Sequence, residues 1–263
     1  MLPELPAARR YLAGGTDIVT ADNAGVEPSR CWVDISALPE LGAIKETARA
    51  LFIGSCVKIS KIEASAAVRK WCPALTAAIP HFASPSLRNM ATLGGNAANG
   101  SPCADGACAL IAEGAFIFLA LKGSKRRLLL KDFFLGPKKT ALKKDEVILG
   151  FEIPKRRHAG AYFKLGPRAY FGISKAAVAV TAEISGGVIR RAAVALGSVA
   201  PVPLLAVKTG AWLAGRALSP GSAALAAALV KTEVAPITDA RSEAGYRREM
   251  CGVLLERALN SLT

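Results

Sequence analysis

The chain has 263 residues, of which 52% are hydrophobic and 21% are charged, a composition that supports a buried core and excludes global disorder. Its apolar runs fall short of the ~20 residues of a membrane helix and its N-terminus lacks the pattern of a signal peptide, so we expect a cytoplasmic protein without a membrane span. The net charge is +14, but neither aromatic stacking partners nor a reading helix accompany it, so a solvated surface or an acidic partner protein is favoured over nucleic-acid binding.

The first part of the chain alternates between short strands and short helices. Strands are predicted at 10–13, 31–35, 43–46, 50–54, 115–121, 125–130 and 146–153, and helices at 60–71, 73–82 and 103–113. Thr16 and Asp17 are placed to cap a helix after the first strand. Residues 84–102 are rich in Gly, Asn, Ser and Pro, which predicts a long loop, and long loops inside compact domains are usually functional.

A second part begins between residues 155 and 160, so we expect two domains, 1–157 and 158–263. Antiparallel strands are predicted at 162–165, 176–184 and 188–196, and helices at 204–213, 222–231 and 245–261. Gly186 and Gly187 form a two-residue hairpin turn between the last two strands. The basic segment 122–157, which carries twelve of the 34 Lys and Arg residues, precedes this boundary.

The cysteines and histidines do not form a metal-binding pattern. No two of the six cysteines are spaced C-x-x-C, and only Cys103 and Cys108 are near neighbours. Zinc and iron–sulfur sites usually need closely spaced thiolates, because one loop must present two ligands to one metal. We therefore predict reduced thiols, no metal site in this chain, and structural or surface roles for His81 and His158.

Two glycine pairs carry the functional signal. Gly14-Gly15 and Gly94-Gly95 each follow a short apolar step and have a threonine beside them, Thr16 or Thr92. A glycine pair lets the backbone approach a phosphate, and N–H groups and hydroxyls then donate to the anion. Two such loops facing each other suit a diphosphate. Neither the G-x-G-x-x-G nor the P-loop pattern is present, so those nucleotide folds are not supported.

The segments around these pairs resemble a known family. LAGGTDIV (12–19) and ATLGGNAANGSPCAD (91–105) resemble the two FAD-diphosphate segments of the molybdenum hydroxylase flavoproteins. FFLGPKKTALKKDEVILGFEIP (133–154) and FKLGPRAYFGISKAAVAV (163–180) fit the same family in the same order, the last looking most similar to bacterial xanthine dehydrogenase FAD subunits. The resemblance implies an α+β fold: a two-subdomain FAD-binding PCMH-type domain, then a C-terminal α+β domain with a three-stranded antiparallel sheet and helices.

The resemblance also implies a set of cofactor-binding residues. The diphosphate loops are Tyr11, Leu12, Ala13, Gly14, Gly15, Thr16, Asp17 and Ile18, and Thr92, Leu93, Gly94, Gly95 and Asn96. Asp105 is implied at the ribose or adenine end, Ile148 near the flavin, Lys164 at the isoalloxazine and Phe82 packed on the cofactor. From local chemistry alone, a helix cap for Asp105, core positions for Ile148 and Phe82, and a solvent-facing Lys164 stay open.

The implied function is electron transfer by a subunit of a xanthine dehydrogenase-like oxidoreductase. A molybdenum-cofactor subunit would hydroxylate the substrate, a [2Fe–2S] subunit would pass electrons to the FAD of this chain, and NAD⁺ would accept them. No catalytic acid or base is expected here, because the cofactor carries the redox chemistry. A carbon monoxide, nicotinate or aldehyde-type hydroxylase is the alternative, and a basic nucleic-acid-binding protein a distant one.

Two departures from the family pattern, and the absence of one branch's insertion, bear on these expectations. Relatives usually carry a further strand and helix before the first glycine loop, so a start-site error is one explanation of the short N-terminus. Gly172 stands where relatives often have an aspartate, which removes any polar contact from that side chain. No cysteine lies between Cys108 and Cys251, so the extra iron–sulfur insertion of the hydroxybenzoyl-CoA reductase branch is absent.

Overall fold

The computed structural model describes residues 9–26, 31–168 and 172–262. Its first unit is small: strands β1 (Arg9–Leu12) and β2 (Cys31–Asp34) pair in parallel, and helix α1 (Ile18–Asn23) lies between them in the chain. The predicted cap is wrong in detail, because Asp17 occupies the N-cap position without a side-chain hydrogen bond. α1 has no buried residue, so this unit adds little to the core.

A five-stranded antiparallel sheet is the centre of the first domain. Its strands are β3 (Ile44–Glu46), β4 (Ala50–Gly54), β5 (Phe116–Leu121), β6 (Ser124–Leu129) and β9 (Val147–Pro154), in the order β3-β4-β9-β5-β6. Ile53, Ile117 and Phe151 are fully buried, as the alternation of side chains in these strands requires. A short hairpin, β7 (Phe134–Gly136) and β8 (Lys139–Thr140), interrupts the chain between β6 and β9.

Short helices cover this sheet. They are α2 (Ile59–Ala64), α3 (Ala66–Trp71), α4 (Pro73–Ala78) with a 3₁₀ turn at Ile79–His81, and α7 (Asp105–Ala112). The single helix predicted at 60–71 is two helices, because Ser65 is extended and its hydroxyl accepts the Val68 N–H at 3.3 Å, which starts α3. Every residue of α7 is buried, which makes this small-residue helix the centre of the core.

The prediction of a loop at 84–102 is wrong. The segment contains two helices, α5 (Pro85–Arg88) and α6 (Leu93–Ala98). The hydroxyl of Ser84 caps the first and that of Thr92 caps the second, and Leu93 and Ala97 are buried. Capping and burial therefore override a composition that by itself favours turns.

The C-terminal domain is a sheet with helices on one side. Its strands are β10 (Ala159–Leu165), β11 (Ala176–Ser185), β12 (Val188–Gly197) and β13 (Leu204–Leu205), and its helices are α8 (Val207–Leu213), α9 (Pro220–Val230) and α10 (Ala244–Asn260). The three expected antiparallel strands are present, and β13 adds a fourth where the sequence predicts the start of a helix. Gly186 and Gly187 turn the hairpin with φ of 58° and 73°, as predicted. Residues 169–171 of the fourth family-like segment lie outside the described residues.

The C-terminal sheet is buried on both faces. Ala177, Ala179 and Ala195 belong to the core that contains α7, whereas Val178 and Val180 belong to the core under α10. Because side chains alternate along a strand, one run of apolar residues serves both cores. This packing fixes α7 of the first domain against β10–β12 of the second. Among the described residues, no helix is long and apolar enough to cross a bilayer.

Candidate cofactor-binding site

The first glycine loop packs directly on the segment that leads to the second. Tyr11 and Leu12 end β1, residues 13–17 form the loop, and Ile18 begins α1. A side chain at Gly14 is impossible without movement, because its Cβ would lie 2.3 Å from the Met90 carbonyl oxygen. The structure thus brings residues 14–15 against the backbone just before Thr92.

The first loop presents unused hydrogen-bond donors. Within the described part of the chain, the backbone N–H groups of Gly14, Gly15 and Thr16 have no acceptor. Gly15 has a φ of 71°, which turns the chain into α1. Lys58 lies nearby, since its ammonium donates to the Met90 carbonyl at 3.0 Å. Free N–H groups beside a cation form an environment that favours an anion.

The second glycine pair differs from the expectation that its N–H groups would bind phosphate. All four N–H groups of residues 93–96 donate within the protein: Leu93 to the Val57 carbonyl (3.2 Å), Gly94 to the Ser55 carbonyl (2.8 Å), Gly95 to the Thr92 hydroxyl (3.1 Å) and Asn96 to the Thr92 carbonyl (3.0 Å). Gly94 is needed for packing, because its Cβ would lie 2.6 Å from Cβ of Ser55. Gly95, by contrast, is exposed.

Side-chain donors remain at the second loop. The Thr92 oxygen accepts from Gly95, so its hydroxyl hydrogen is available to another acceptor. The Asn96 side-chain oxygen accepts the Ala107 N–H at 3.1 Å, which leaves the amide nitrogen to donate elsewhere. A diphosphate at this site would therefore meet backbone donors from the first loop and side-chain donors from the second.

Lys138, which the sequence did not single out, links the two loops. Its ammonium contacts the Asp17 carboxylate at 3.5 Å and donates to the side-chain oxygen of Asn99, directly after α6. On the other side of the first loop, the Tyr11 hydroxyl donates to the Asp145 carbonyl at 3.3 Å, close in sequence to Ile148 on β9. The sequence signal for the Lys138 contact is weak: it consists of the two asparagines within 96–99, whose side-chain oxygens can accept from a cation.

Asp105 and Lys164 form one buried cluster. The two carboxylate oxygens of Asp105 accept from the Tyr162 hydroxyl at 2.6 Å and from the Lys164 ammonium at 2.7 Å. Lys164 also donates to the His81 carbonyl at 3.1 Å. Burial raises the pKa of the Asp105 carboxyl against the opposing effect of Lys164, and burial with the Asp105 charge holds the pKa of Tyr162 well above its usual range. Burial and the Lys164 charge lower the pKa of His81.

This cluster joins two residues for which the resemblance implies separate roles. Asp105 was assigned to the ribose or adenine end of the cofactor and Lys164 to the isoalloxazine, ends that the diphosphate and ribityl groups hold apart. Because the carboxylate and the ammonium lie 2.7 Å apart, we expect both residues to act at one place in the site. A cavity of about 350 Å³ adjoins them, lined by His81, Lys164, Arg168 and Gly172 among others.

Phe82 and Ile148 are core residues in this structure. Phe82 is 9% exposed and Ile148 is 6% exposed, and both belong to the core of the first domain. Ile148 pairs with Leu119 in the sheet. Each therefore offers little surface to a ligand, although either can support the wall behind it. Among the described residues no group of three or more His, Cys, Asp and Glu is placed to hold a metal ion.

The donor set of the site fits the diphosphate of FAD. The two loops and their immediate neighbours carry three N–H groups without an acceptor among the described residues, the Thr92 hydroxyl, the Asn96 amide and the cations Lys58 and Lys138. Oriented N–H groups and cations are the features by which proteins bind phosphate groups. Among the described residues of the two loops, the one acidic side chain is Asp17, and it has a cation beside it, Lys138.

Comparisons with known proteins agree with this fit. A family described as FAD binding domain in molybdopterin dehydrogenase matches residues 4–156, and the CO dehydrogenase flavoprotein C-terminal domain matches residues 161–262. The carbon monoxide dehydrogenase medium chain of Afipia carboxidovorans is 31% identical over 261 residues, covering 98% of this chain and 90% of the relative. The putative xanthine dehydrogenase FAD-binding subunit XdhB of Escherichia coli K12 is 32% identical over 208 residues, covering 78% and 71%.

Solved structures give the same result. Reconstituted CO dehydrogenase from Oligotropha carboxidovorans superposes with a TM-score of 0.94 at 31% identity, covering 99% of this chain and 92% of that chain. The chain is thus about as similar to a CO dehydrogenase subunit as to a xanthine dehydrogenase subunit, and the alignment with CO dehydrogenase is longer. Similarity therefore does not identify the substrate of the enzyme. The chain belongs to the FAD-binding subunits of the molybdopterin dehydrogenases, the molybdenum hydroxylase family, and its cofactor is FAD.

Proposed function

We propose that this chain is the electron-transfer subunit of a molybdenum hydroxylase, in which bound FAD relays electrons from [2Fe–2S] clusters on one partner chain to NAD⁺. A second partner chain holds the molybdenum cofactor and hydroxylates the substrate. The observation that carries this proposal is the contact of Gly14 with the Met90 carbonyl, two residues before Thr92 of the second loop. Beside this contact lie the N–H groups of residues 14–16, which have no acceptor among the described residues.

The residues of this chain bind and orient the cofactor. The N–H groups of residues 14–16 donate to phosphate oxygens, and the Thr92 hydroxyl and Asn96 amide donate from the opposite side. The buried Asp105–Lys164 pair fixes β10 against α7 and holds an ammonium at the adjoining cavity. We assign no acid or base to this chain, because electron transfer through a flavin needs position and electrostatics rather than a proton donor at the substrate.

The two domains contribute different parts of the cofactor site. We propose that residues 1–157 hold the diphosphate and that residues 158–263 contribute Lys164 and cover the cofactor, in a cytoplasmic enzyme. The packing of α7 on both β11 and β12 supports this arrangement, since it joins the second loop to the C-terminal sheet through one core.

For the substrate we propose a purine of the xanthine type, with carbon monoxide as the second candidate. Identity to the E. coli XdhB subunit favours the first, and the longer alignment with the CO dehydrogenase medium chain favours the second. The flavin chain does not touch the substrate, so the test uses the whole complex. Purified complex should reduce NAD⁺ with xanthine; reduction of an acceptor only by carbon monoxide, nicotinate or an aldehyde would contradict the xanthine proposal.

The cofactor assignment to these loops has its own test. The purified chain should be yellow and release FAD on denaturation, and a Gly14→Ala variant should lose the colour while staying folded. A Gly245→Ala variant is the matched control, because an added methyl group at that position meets open space. Full FAD occupancy in Gly14→Ala would contradict the placement of the diphosphate.

A further inference from the structure

Lys138 has a backbone conformation that lysine rarely adopts. Its φ is 59°, in the left-handed region, at the turn between β7 and β8. A non-glycine residue in this region is strained, and such strain persists only where the surrounding structure imposes it. Lys122 in the β5–β6 turn has a similar φ of 45°. It forms no hydrogen bond or ion pair with any described residue, so it provides a comparison for Lys138.

The hairpin that carries Lys138 is fixed against Gly100, just after the second loop and α6. The Lys138 N–H donates to the Gly100 carbonyl at 2.9 Å. Gly100 packs so closely that a Cβ there would lie 3.1 Å from both Cα and the carbonyl carbon of Lys138. The strained backbone is therefore held at a fixed distance from Asn99, and the side chain is directed across to Asp17 of the first loop.

The fold alone does not account for a lysine at this position. Both Lys138 and Asp17 are 61% exposed, and exposed ion pairs contribute little to stability. Glycine would adopt the same φ without strain, so loss of the side chain should relieve the backbone. What distinguishes Lys138 from Lys122 is the place of its ammonium, between Asp17 and Asn99.

We propose that Lys138 is a phosphate-binding residue that clamps the two loops around the FAD diphosphate. This inference rests on the proposed placement of the cofactor. An ammonium has three donors; Asp17 and Asn99 take two, and the third is available to a phosphate oxygen. Lys138 also neutralises Asp17, whose carboxylate would otherwise repel the dianionic diphosphate at close range.

The test is FAD binding to the flavin-free chain, measured by quenching of flavin fluorescence, beside thermal unfolding without FAD. Lys138→Gln keeps the strain and loses the charge, so Kd for FAD should rise about tenfold with little change in Tm. Lys138→Gly should weaken FAD binding to a similar degree while raising Tm by about 2–4 °C. Lys138→Arg should bind FAD like the wild type.

Lys122→Gly is the matched control, because it also removes one positive charge and relieves one left-handed lysine. It should raise Tm without changing Kd for FAD. Wild-type affinity in Lys138→Gln, or equal weakening in Lys122→Gly, would overturn the role of Lys138 while leaving the proposed function in place. Failure of the wild-type chain to bind FAD would overturn the proposed function and this inference together.

Discussion

Gly14 and Gly94 each begin a glycine pair beside a threonine, yet the two pairs meet different surroundings. Gly14 approaches the backbone of Met90 and is followed by N–H groups without an acceptor in the described part of the chain. Gly94 packs on Ser55, and the N–H groups that follow it already have acceptors. The same dipeptide therefore provides donors in one loop and close packing in the other.

The two loops also differ in their attachment to the protein. Of the described residues before position 27, none belongs to either hydrophobic core, whereas Leu93 and Ala97 are core residues. A change in the first loop should reduce cofactor binding and leave the fold intact. A change in the second should act on the fold itself. The following predictions separate these two outcomes, beginning with the largest effect.

Gly94→Ala should lower the free energy of unfolding by about 3 kcal/mol, because its new methyl group meets the Ser55 backbone, which cannot rotate away. Urea denaturation of the FAD-free chain measures this. Gly95→Ala is the matched control, since Gly95 is exposed and the nearest atom to its methyl group is a side-chain atom, the Thr92 hydroxyl oxygen at 3.0 Å. Equal stability of the two variants would contradict the packing role of Gly94.

Gly14→Ala should weaken FAD binding about 100-fold, or about 2.8 kcal/mol, with a much smaller change in unfolding free energy. The added methyl group forces the first loop away from Met90, and the loop contributes nothing to the core among its described residues. Titration with FAD and urea denaturation of the same variant give both quantities. A loss of unfolding free energy as large as that of Gly94→Ala would contradict the difference between the two loops.

Tyr162→Phe should lower the free energy of unfolding by about 1.5 kcal/mol, because it removes the hydroxyl that donates to the buried Asp105 carboxylate at 2.6 Å. Tyr11→Phe is the control from the first loop. Its hydroxyl donates to the Asp145 carbonyl at 3.3 Å in a partly buried position, so its loss should matter less. A larger destabilisation in Tyr11→Phe would reverse the comparison.

The smallest effect concerns pH. Burial opposes protonation of His158, but its hydrogen bond and charge interaction with Glu113 prevail and raise the pKa of the imidazole. The raised pKa stabilises the fold fully below the pKa of the unfolded histidine, and this contribution is lost as pH rises through the folded pKa. His158→Gln should flatten this part of the stability–pH curve; an unchanged curve would contradict the assignment.

Local sequence patterns predicted most strands, the C-terminal helices and the Gly186-Gly187 hairpin, because apolar alternation and turn residues act over a few positions. They failed at α5 and α6, where capping by Thr92 and burial of Leu93 prevail over a turn-rich composition. These helices depend on contacts with distant parts of the chain, which local propensity does not include.

The site was predictable in its location and not in its contacts. The glycine pairs themselves and the resemblance of their surroundings to a family indicated both loops, and the structure packs the first on the segment that leads to the second. The Asp105–Lys164 pair joins residues 59 positions apart, and the contact of Lys138 with Asp17 joins residues 121 apart. Nothing in the local sequence of any of these residues specifies its partner, which is why Asp105 and Lys164 received roles at opposite ends of the cofactor.

Amide hydrogen exchange, with and without FAD, tests the central claim most directly. The N–H groups of residues 14–16 should exchange rapidly in the FAD-free chain and become protected when FAD binds, because no described residue of the chain accepts from them. Those of residues 93–96 should be protected in both states, because their acceptors belong to the protein. Protection of residues 14–16 without FAD, or its absence with FAD bound, would contradict the account.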